Sequence, residues 1–265
     1  MRAVVLAVAL LAAPAAPPLV SAPLPERPAE VVAALTRTTA GLEASIDDWQ
    51  SGPRPGGVAP RVVILWALHQ QRLFLALTYD QELGRRAWPL LGHEARETLA
   101  ARRRLVSLTP PTRLPPSAFR TGPAAPAASL QRWYREAERR FGVDWEVLAA
   151  VNFVESGFGR LRSASSAGAQ GPMQFVPATW RVYGLGGNVH DPHDAILGAA
   201  NYLRASGAAR DLRRALYAYN HSTRYVDAVV RFAAQMRRDE RSYFAYHSWQ
   251  VFIKTPNGPR RITGP

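Results

Sequence analysis

The chain of 265 residues contains no cysteine. That excludes disulfides, thiol nucleophiles, iron–sulfur clusters and Cys-ligated zinc. Lysine is almost missing as well: Lys254 is the only one, so arginine carries the positive charge. Past the N-terminal segment no apolar run approaches the roughly 20 residues that a membrane-spanning helix needs. Acidic residues number 20 against 33 basic ones, a net charge of +13. This balance selects an anionic partner without naming it, since nucleic acid, anionic lipid and cell-wall polymer all qualify. The excess is spread out, +8 over residues 121–265 and +5 before them, with no dense tract beyond Arg102–Arg104. No basic reading helix and no aromatic–basic interleaving is present, so no nucleic-acid partner is expected. Anionic cell-wall polymers fit a diffuse charge better.

What is present reads as globular: 47% apolar and 20% charged residues in a chain long enough for a sizeable core. Residues 1–22 have the parts of an export signal: Arg2, a short apolar stretch from Ala3 to Ala13, then small residues. Ala13-Pro14-Ala15 and Val20-Ser21-Ala22 are the cleavage candidates. No cysteine follows, so a lipoprotein anchor is ruled out. The expected location is outside the cytoplasm: cell wall, periplasm or medium, with no spanning helix in the mature chain once the signal is removed.

Residues 29–108 carry helical periodicity. Val31, Val32, Leu35, Leu42 and Ile46 predict one amphipathic helix that ends before the turn-rich Ser51–Gly57. A second helical region is expected over Arg61–Arg86 and a third over His93–Leu108. The proline-rich residues 109–129 predict a semi-rigid linker and a domain boundary with few contacts across it. Beyond it the pattern resolves into short, punctuated helices: Leu130–Phe141, one capped by Asp144, one starting at Pro177, one capped by Asp191 and closed by Gly207, one opened by Asp211, and a long one opened by Ser222 or Thr223. The Gly/Ser cluster between Ser156 and Gly171 predicts a loop or small hairpin. Residues 251–265 form a C-terminal extension of undetermined structure.

Glu155 lies at the end of the helix begun at Asp144, on the same face as Leu148 and Val151. Burial in that stripe and the negative helix end both raise a carboxyl pKa, which is what a general acid requires. A glutamate fraying into solvent would have the same periodicity. Farther on stand Gly171-Pro172-Met173-Gln174 and Ala218-Tyr219-Asn220. The ordered set Glu-Ser, Gly-x-Met-Gln, Ala-Tyr-Asn resembles the lytic murein transglycosylases, whose SLT-type catalytic domain is goose-lysozyme-like. The stretches GPMQFVPATW and DPHDAILGAANYL look most like the membrane-bound B kind. The resemblance spans residues 130–250.

It implies a mainly α fold, a lysozyme-like helical catalytic domain with room for one small β-hairpin, preceded by the helical N-terminal region. It implies Glu155 as sole catalytic acid/base, acting on the glycan strands of peptidoglycan. Ser165 and Gln174 would bind sugar, Met173 and Phe175 would shape the cleft wall, and Tyr219 and Asn220 would face them near the substrate's N-acetyl group. Ser156 and Gly171 would serve backbone geometry. Met173, Phe175 and Tyr219 also have a plain reading as core residues. One carboxylate suffices where the sugar's own N-acetyl group is the internal nucleophile. The same residues would serve a hydrolytic muramidase, or persist in a wall-binding protein without activity. His190, Asp191, His193 and Asp194 cluster closely, but the two histidines straddle a helix start, so neither a metal nor a cofactor is expected.

Overall fold

The computed structural model describes residues 16–265. Most of the expected export signal therefore lies outside the described residues. No described helix is long and apolar enough to cross a membrane.

Helix α1 (Pro28–Ser51) buries Val31, Leu35, Leu42 and Ile46 on one face, as the spacing predicts, and adds Trp49 to that stripe. The helical region expected over Arg61–Arg86 consists of two helices, α2 (Arg61–Tyr79) and α3 (Gln81–Ala87). Asp80 breaks them with extended backbone, and its carboxylate accepts the Leu83 N–H at 2.9 Å. A short acceptor that competes for helix N–H groups outweighs continued periodicity there. Helix α4 (His93–Leu108) has the expected bounds.

In the second half α5 (Ala127–Phe141) starts three residues earlier than expected, and α6 (Trp145–Ser156) follows. Then come α7 (Pro177–Tyr183), α8 (Pro192–Ala205), α9 (Leu212–Tyr219), α10 (Thr223–Arg238) and α11 (Arg241–Ser248). Asp191, Asp211 and Ser222 cap their helices through the side chain, as expected. Asp144 stands at its cap position but pairs with Arg237 instead. Its place is taken by Glu138, which accepts the Trp145 N–H at 3.2 Å. Of the loop or small hairpin expected between Ser156 and Gly171, the loop is found: turns, with only the isolated bridges Thr121–Leu161 and Gln170–Phe175 touching it. A hairpin forms in the C-terminal extension, from β1 (Phe252–Thr255) and β2 (Gly258–Arg261) in antiparallel register. The mainly helical class is as expected.

Helices before and after the proline-rich stretch are in contact. A single apolar core joins the helices on either side of it. Helix α4 packs along α10, and α1 and α2 pack on α11. Phe74 meets Trp249 at 5.9 Å and Trp49 meets Phe244 at 5.5 Å. The Thr98 hydroxyl, the Gln235 Oε1 and the Tyr246 hydroxyl form a buried triangle of oxygens 2.8 to 3.0 Å apart, with two hydroxyl protons shared among them. Division at residues 109–129 remains a reading of sequence composition; the expectation of few contacts is corrected. The stretch itself is fastened along its length. The Thr112 N–H donates to the Lys254 carbonyl, Arg162 N–H to the Arg120 carbonyl, and Ala128 N–H to the Gly56 carbonyl, each at 2.8 Å.

Candidate active site

Helix α6 is the innermost element. Val147, Leu148, Ala149, Ala150 and Val151 are all buried, so it is apolar all round rather than along one stripe. Only its last turn reaches an opening. There Glu155 is half-buried, and Gly157 ends the helix in left-handed geometry. The Tyr225 hydroxyl donates to Glu155 Oε1 at 2.7 Å. Tyr225 is held on the first turn of α10, where its N–H reaches the Ser222 hydroxyl at 3.4 Å. Burial pushes the Glu155 carboxyl up to about 7, against the Tyr225 bond, which favours the charged form. No second carboxylate contributes to that shift.

The next residue anchors the glutamate. Ser156 is buried; its hydroxyl donates to the Pro172 carbonyl at 2.5 Å and accepts the Gly159 N–H at 2.8 Å. This ties the end of α6 to the loop that carries the Gly-x-Met-Gln residues. Gly171 has φ +74°, and a Cβ there would lie 1.9 Å from the Val189 carbonyl oxygen. Only glycine permits that approach.

The remaining expected residues divide. Met173 is wholly buried and Phe175 is 3% exposed. Both side chains are therefore packed in the core behind the loop that carries Gln174. Phe175 stacks edge-on to Trp180 at 5.1 Å and to Tyr219 at 5.9 Å. The Tyr219 hydroxyl donates to the Met173 carbonyl at 2.7 Å, the partner that a core tyrosine requires. Burial first, and then the Glu155 carboxylate, holds the Tyr219 hydroxyl well above its ordinary range. Gln174 takes φ +49° and its amide donates to the Gly171 carbonyl at 3.0 Å. Asn220 is exposed just past α9, in extended backbone with φ −143°, so it is no left-handed cap. Ser165 is exposed, and its hydroxyl accepts the Ala169 N–H at 3.1 Å, closing a small turn.

Donor atoms of Asp191, His193 and Asp194 lie within 4.8 Å of one another. They are engaged within the fold. Asp191 accepts two helix N–H groups, Asp194 accepts the Asn188 N–H, and His193 Nε2 meets Glu136 at 3.0 Å.

Tyr225 was not legible in the sequence. Its one local signal is position three after a capping serine, which marks a first-turn residue and not a partner 70 residues away. Its substitution has a signed consequence. Tyr225→Phe removes a donor to the carboxylate, so the Glu155 pKa should rise above about 7. The high-pH limb of any activity that needs protonated Glu155 should move to higher pH, with a lower maximal rate. A limb that stays in place would remove Tyr225 from the control of Glu155.

Residues 132–241 match the family Transglycosylase SLT domain. Over 122 residues the chain is 30% identical to a membrane-bound lytic murein transglycosylase F of Thiobacillus denitrificans, covering 43% of this chain and 26% of that protein. Over 73 residues it is 33% identical to a membrane-bound lytic murein transglycosylase F 1 of Alkalilimnicola ehrlichii, covering 28% of this chain and 14% of that protein. The chain thus spans about a quarter or less of the length of these curated relatives. No solved structure matches it. Glu155, Gln174, Tyr219, Asn220 and Tyr225 all fall within the matched stretch.

Proposed function

We propose that this protein is an exported lytic transglycosylase that cleaves the β-1,4 bond between N-acetylmuramic acid and N-acetylglucosamine in peptidoglycan. One observation carries the reading. A lone carboxyl with a pKa raised to about 7 is gripped by a tyrosine hydroxyl inside the stretch matched to the SLT domain. Protonated, Glu155 donates to the leaving glycosidic oxygen. The substrate's N-acetyl carbonyl then serves as internal nucleophile at C1. The exposed Asn220 amide, next to Tyr219, is suited to hold that group. The Glu155 carboxylate next takes the proton of the muramyl 6-hydroxyl, which closes a 1,6-anhydro ring on C1. Every proton is accounted for and no water is consumed.

Ser165 and Gln174 complete the sugar-facing surface in this reading, on a wall backed by Met173 and Phe175. The pattern of residues 1–22 supports export to the cell wall. The likeness of GPMQFVPATW to the B kind is a subgroup reading; the relatives matched carry the F name.

The test is the mass of the fragments released from purified peptidoglycan. Muropeptides ending in anhydro-muramic acid, one water lighter than the hydrolysed form, are expected. Fragments at the hydrolysed mass would make the protein a muramidase, and no release at all would make it a wall-binding protein.

A further inference from the structure

Three segments that are far apart in sequence meet beside the helix end that carries Glu155. They are the fastened proline-rich strap, the loop after Ser156, and the C-terminal hairpin. The Thr121–Leu161 bridge joins strap to loop, and the Thr112–Lys254 backbone bond joins strap to hairpin. Residues 98–135, 156–190 and 241–265 contain no Asp or Glu at all. Within the strap, loop and hairpin lie Arg113, Arg120, Arg160, Arg162, Lys254, Arg260 and Arg261. The nearest carboxylate in sequence to these segments' cavity is Asp191, between His190 and Pro192, and it is engaged as a helix cap.

Between the strap and the loop is a cavity of about 620 Å³. Arg120, Arg162 and His190 supply its polar lining, and Pro123, Leu161 and Pro172 part of its apolar lining. Both guanidiniums are held by backbone carbonyls. Arg120 donates to the Arg162 carbonyl at 3.3 Å, and Arg162 to the Pro123 carbonyl at 3.2 Å. Arg162 lies flat against Gly122, where a Cβ would come within 2.2 Å of the guanidinium carbon. Neither forms an ion pair among the described residues, so each keeps N–H donors without a carboxylate partner, and a guanidinium suits a carboxylate. Gly171 and Pro172 belong both to this cavity and to the loop that Ser156 ties to the end of α6. Arg120 and the Pro123–Ala125 wall lie outside residues 132–241, so the cavity is completed by this chain's own strap and not by the matched domain.

We propose that the strap–loop cavity binds the acidic peptide stem carried by muramic acid, with Arg120 and Arg162 receiving its carboxylates. The proposal rests on the peptidoglycan reading above. The chemistry of that substrate favours it: the stem hangs from the same sugar whose C1 is attacked, so a carboxylate-rich peptide must lie near Glu155. The apolar proline and leucine surface suits the alanyl side chains of such a stem. A diffuse polyanion would need only the outer charge, not a concave, partly apolar pocket.

Binding and cleavage are tested separately on the full chain. Binding of the acidic tetrapeptide released from peptidoglycan by an amidase is measured by calorimetry to the Glu155→Gln variant. Binding that weakens with added salt is expected, and about tenfold or more loss in Arg120→Gln and in Arg162→Gln, the scale for one charge-assisted hydrogen bond. Arg162→Lys keeps the charge and should retain part of the affinity, which separates loss of the ligand contact from loosening of the strap. Thermal melts should be unchanged in Arg120→Gln, an exposed side chain. In the wild-type background, Arg120→Gln should raise KM for stem-bearing strands and leave cleavage of amidase-stripped strands as it was. No tetrapeptide binding, or binding of polyphosphate in its place, would overturn the proposal. Tetrapeptide binding without strand cleavage would overturn the transglycosylase reading and leave the pocket standing.

Discussion

Glu155→Gln is expected to abolish release of glycan fragments while leaving the fold intact. The amide is nearly isosteric but can neither deliver a proton to the leaving oxygen nor recover one from the 6-hydroxyl. General acid–base catalysis is worth roughly 10²–10⁴-fold, and here a single side chain fills both roles, with no second carboxylate acting on it. A variant that keeps more than about a tenth of wild-type activity would return Glu155 to a structural role. The same substitution should stabilise the protein, with a sign set by the raised pKa. Because the folded value, about 7, lies above the ordinary value of 4.5, the native state disfavours the charged form. The resulting penalty is absent below about pH 4.5, grows between 4.5 and 7, and is complete above 7. The substituted amide has no charge to desolvate. Unfolding by denaturant at pH 8 should therefore show a gain of about 1–3 kcal/mol over wild type. At about pH 4 the two should be equal. A variant that is inactive and also destabilised at pH 8 would point to a packing defect rather than a missing proton donor.

Deleting residues 1–120 is expected to leave a chain that does not fold. That runs against the sequence reading, in which the proline-rich stretch predicts an independent catalytic half. The reason is in the interface. The deletion removes Thr98 from its bonds to Gln235 and Tyr246, Gln70 from the Trp249 indole N–H, and Gln71 from both backbone groups of Gln250. Each of these hydrogen bonds, exchanged for one to water, is worth about 0.5–1.5 kcal/mol net. Phe244, Tyr246 and Trp249, now 5% exposed or less, would also lose the apolar faces of α1, α2 and α4. Against a total stability of about 5–15 kcal/mol, that loss exceeds what a domain tolerates. Circular dichroism and sedimentation of the deleted protein give the check. A soluble, helical monomer would show that residues 121–265 hold together without the N-terminal helices. A milder variant probes the same contact: Thr98→Val should lower stability by about 1 kcal/mol, because it takes one corner out of the buried triangle with Gln235 and Tyr246.

The parts that were legible in the sequence are those written by local physics. The apolar spacing of Val31, Leu35, Leu42 and Ile46 requires a helix face, whatever it packs against. Asp191-Pro192 starts a helix because a short carboxylate takes the first free N–H groups and proline needs none. The helix pattern placed Glu155 at the end of an apolar helix, where a desolvated acid and a solvent-facing glutamate have the same spacing. Gly171 implied a conformation denied to other residues, although which atom demanded it was not readable.

Tertiary structure alone decided everything that depends on a partner distant in the chain. Nothing near Tyr225 signals that its hydroxyl meets a carboxyl 70 positions away. Met173 and Phe175 could equally line or back a cleft on composition, and only the fold shows both side chains buried. The proline-rich stretch was readable as non-helical but not as fastened, because its anchors, Lys254, Arg160 and Leu161, lie 38 to 142 residues off. Periodicity and caps act within a few residues and are fixed by backbone sterics; pairings across the chain are fixed by which surfaces can be buried together, and a single sequence does not record that choice.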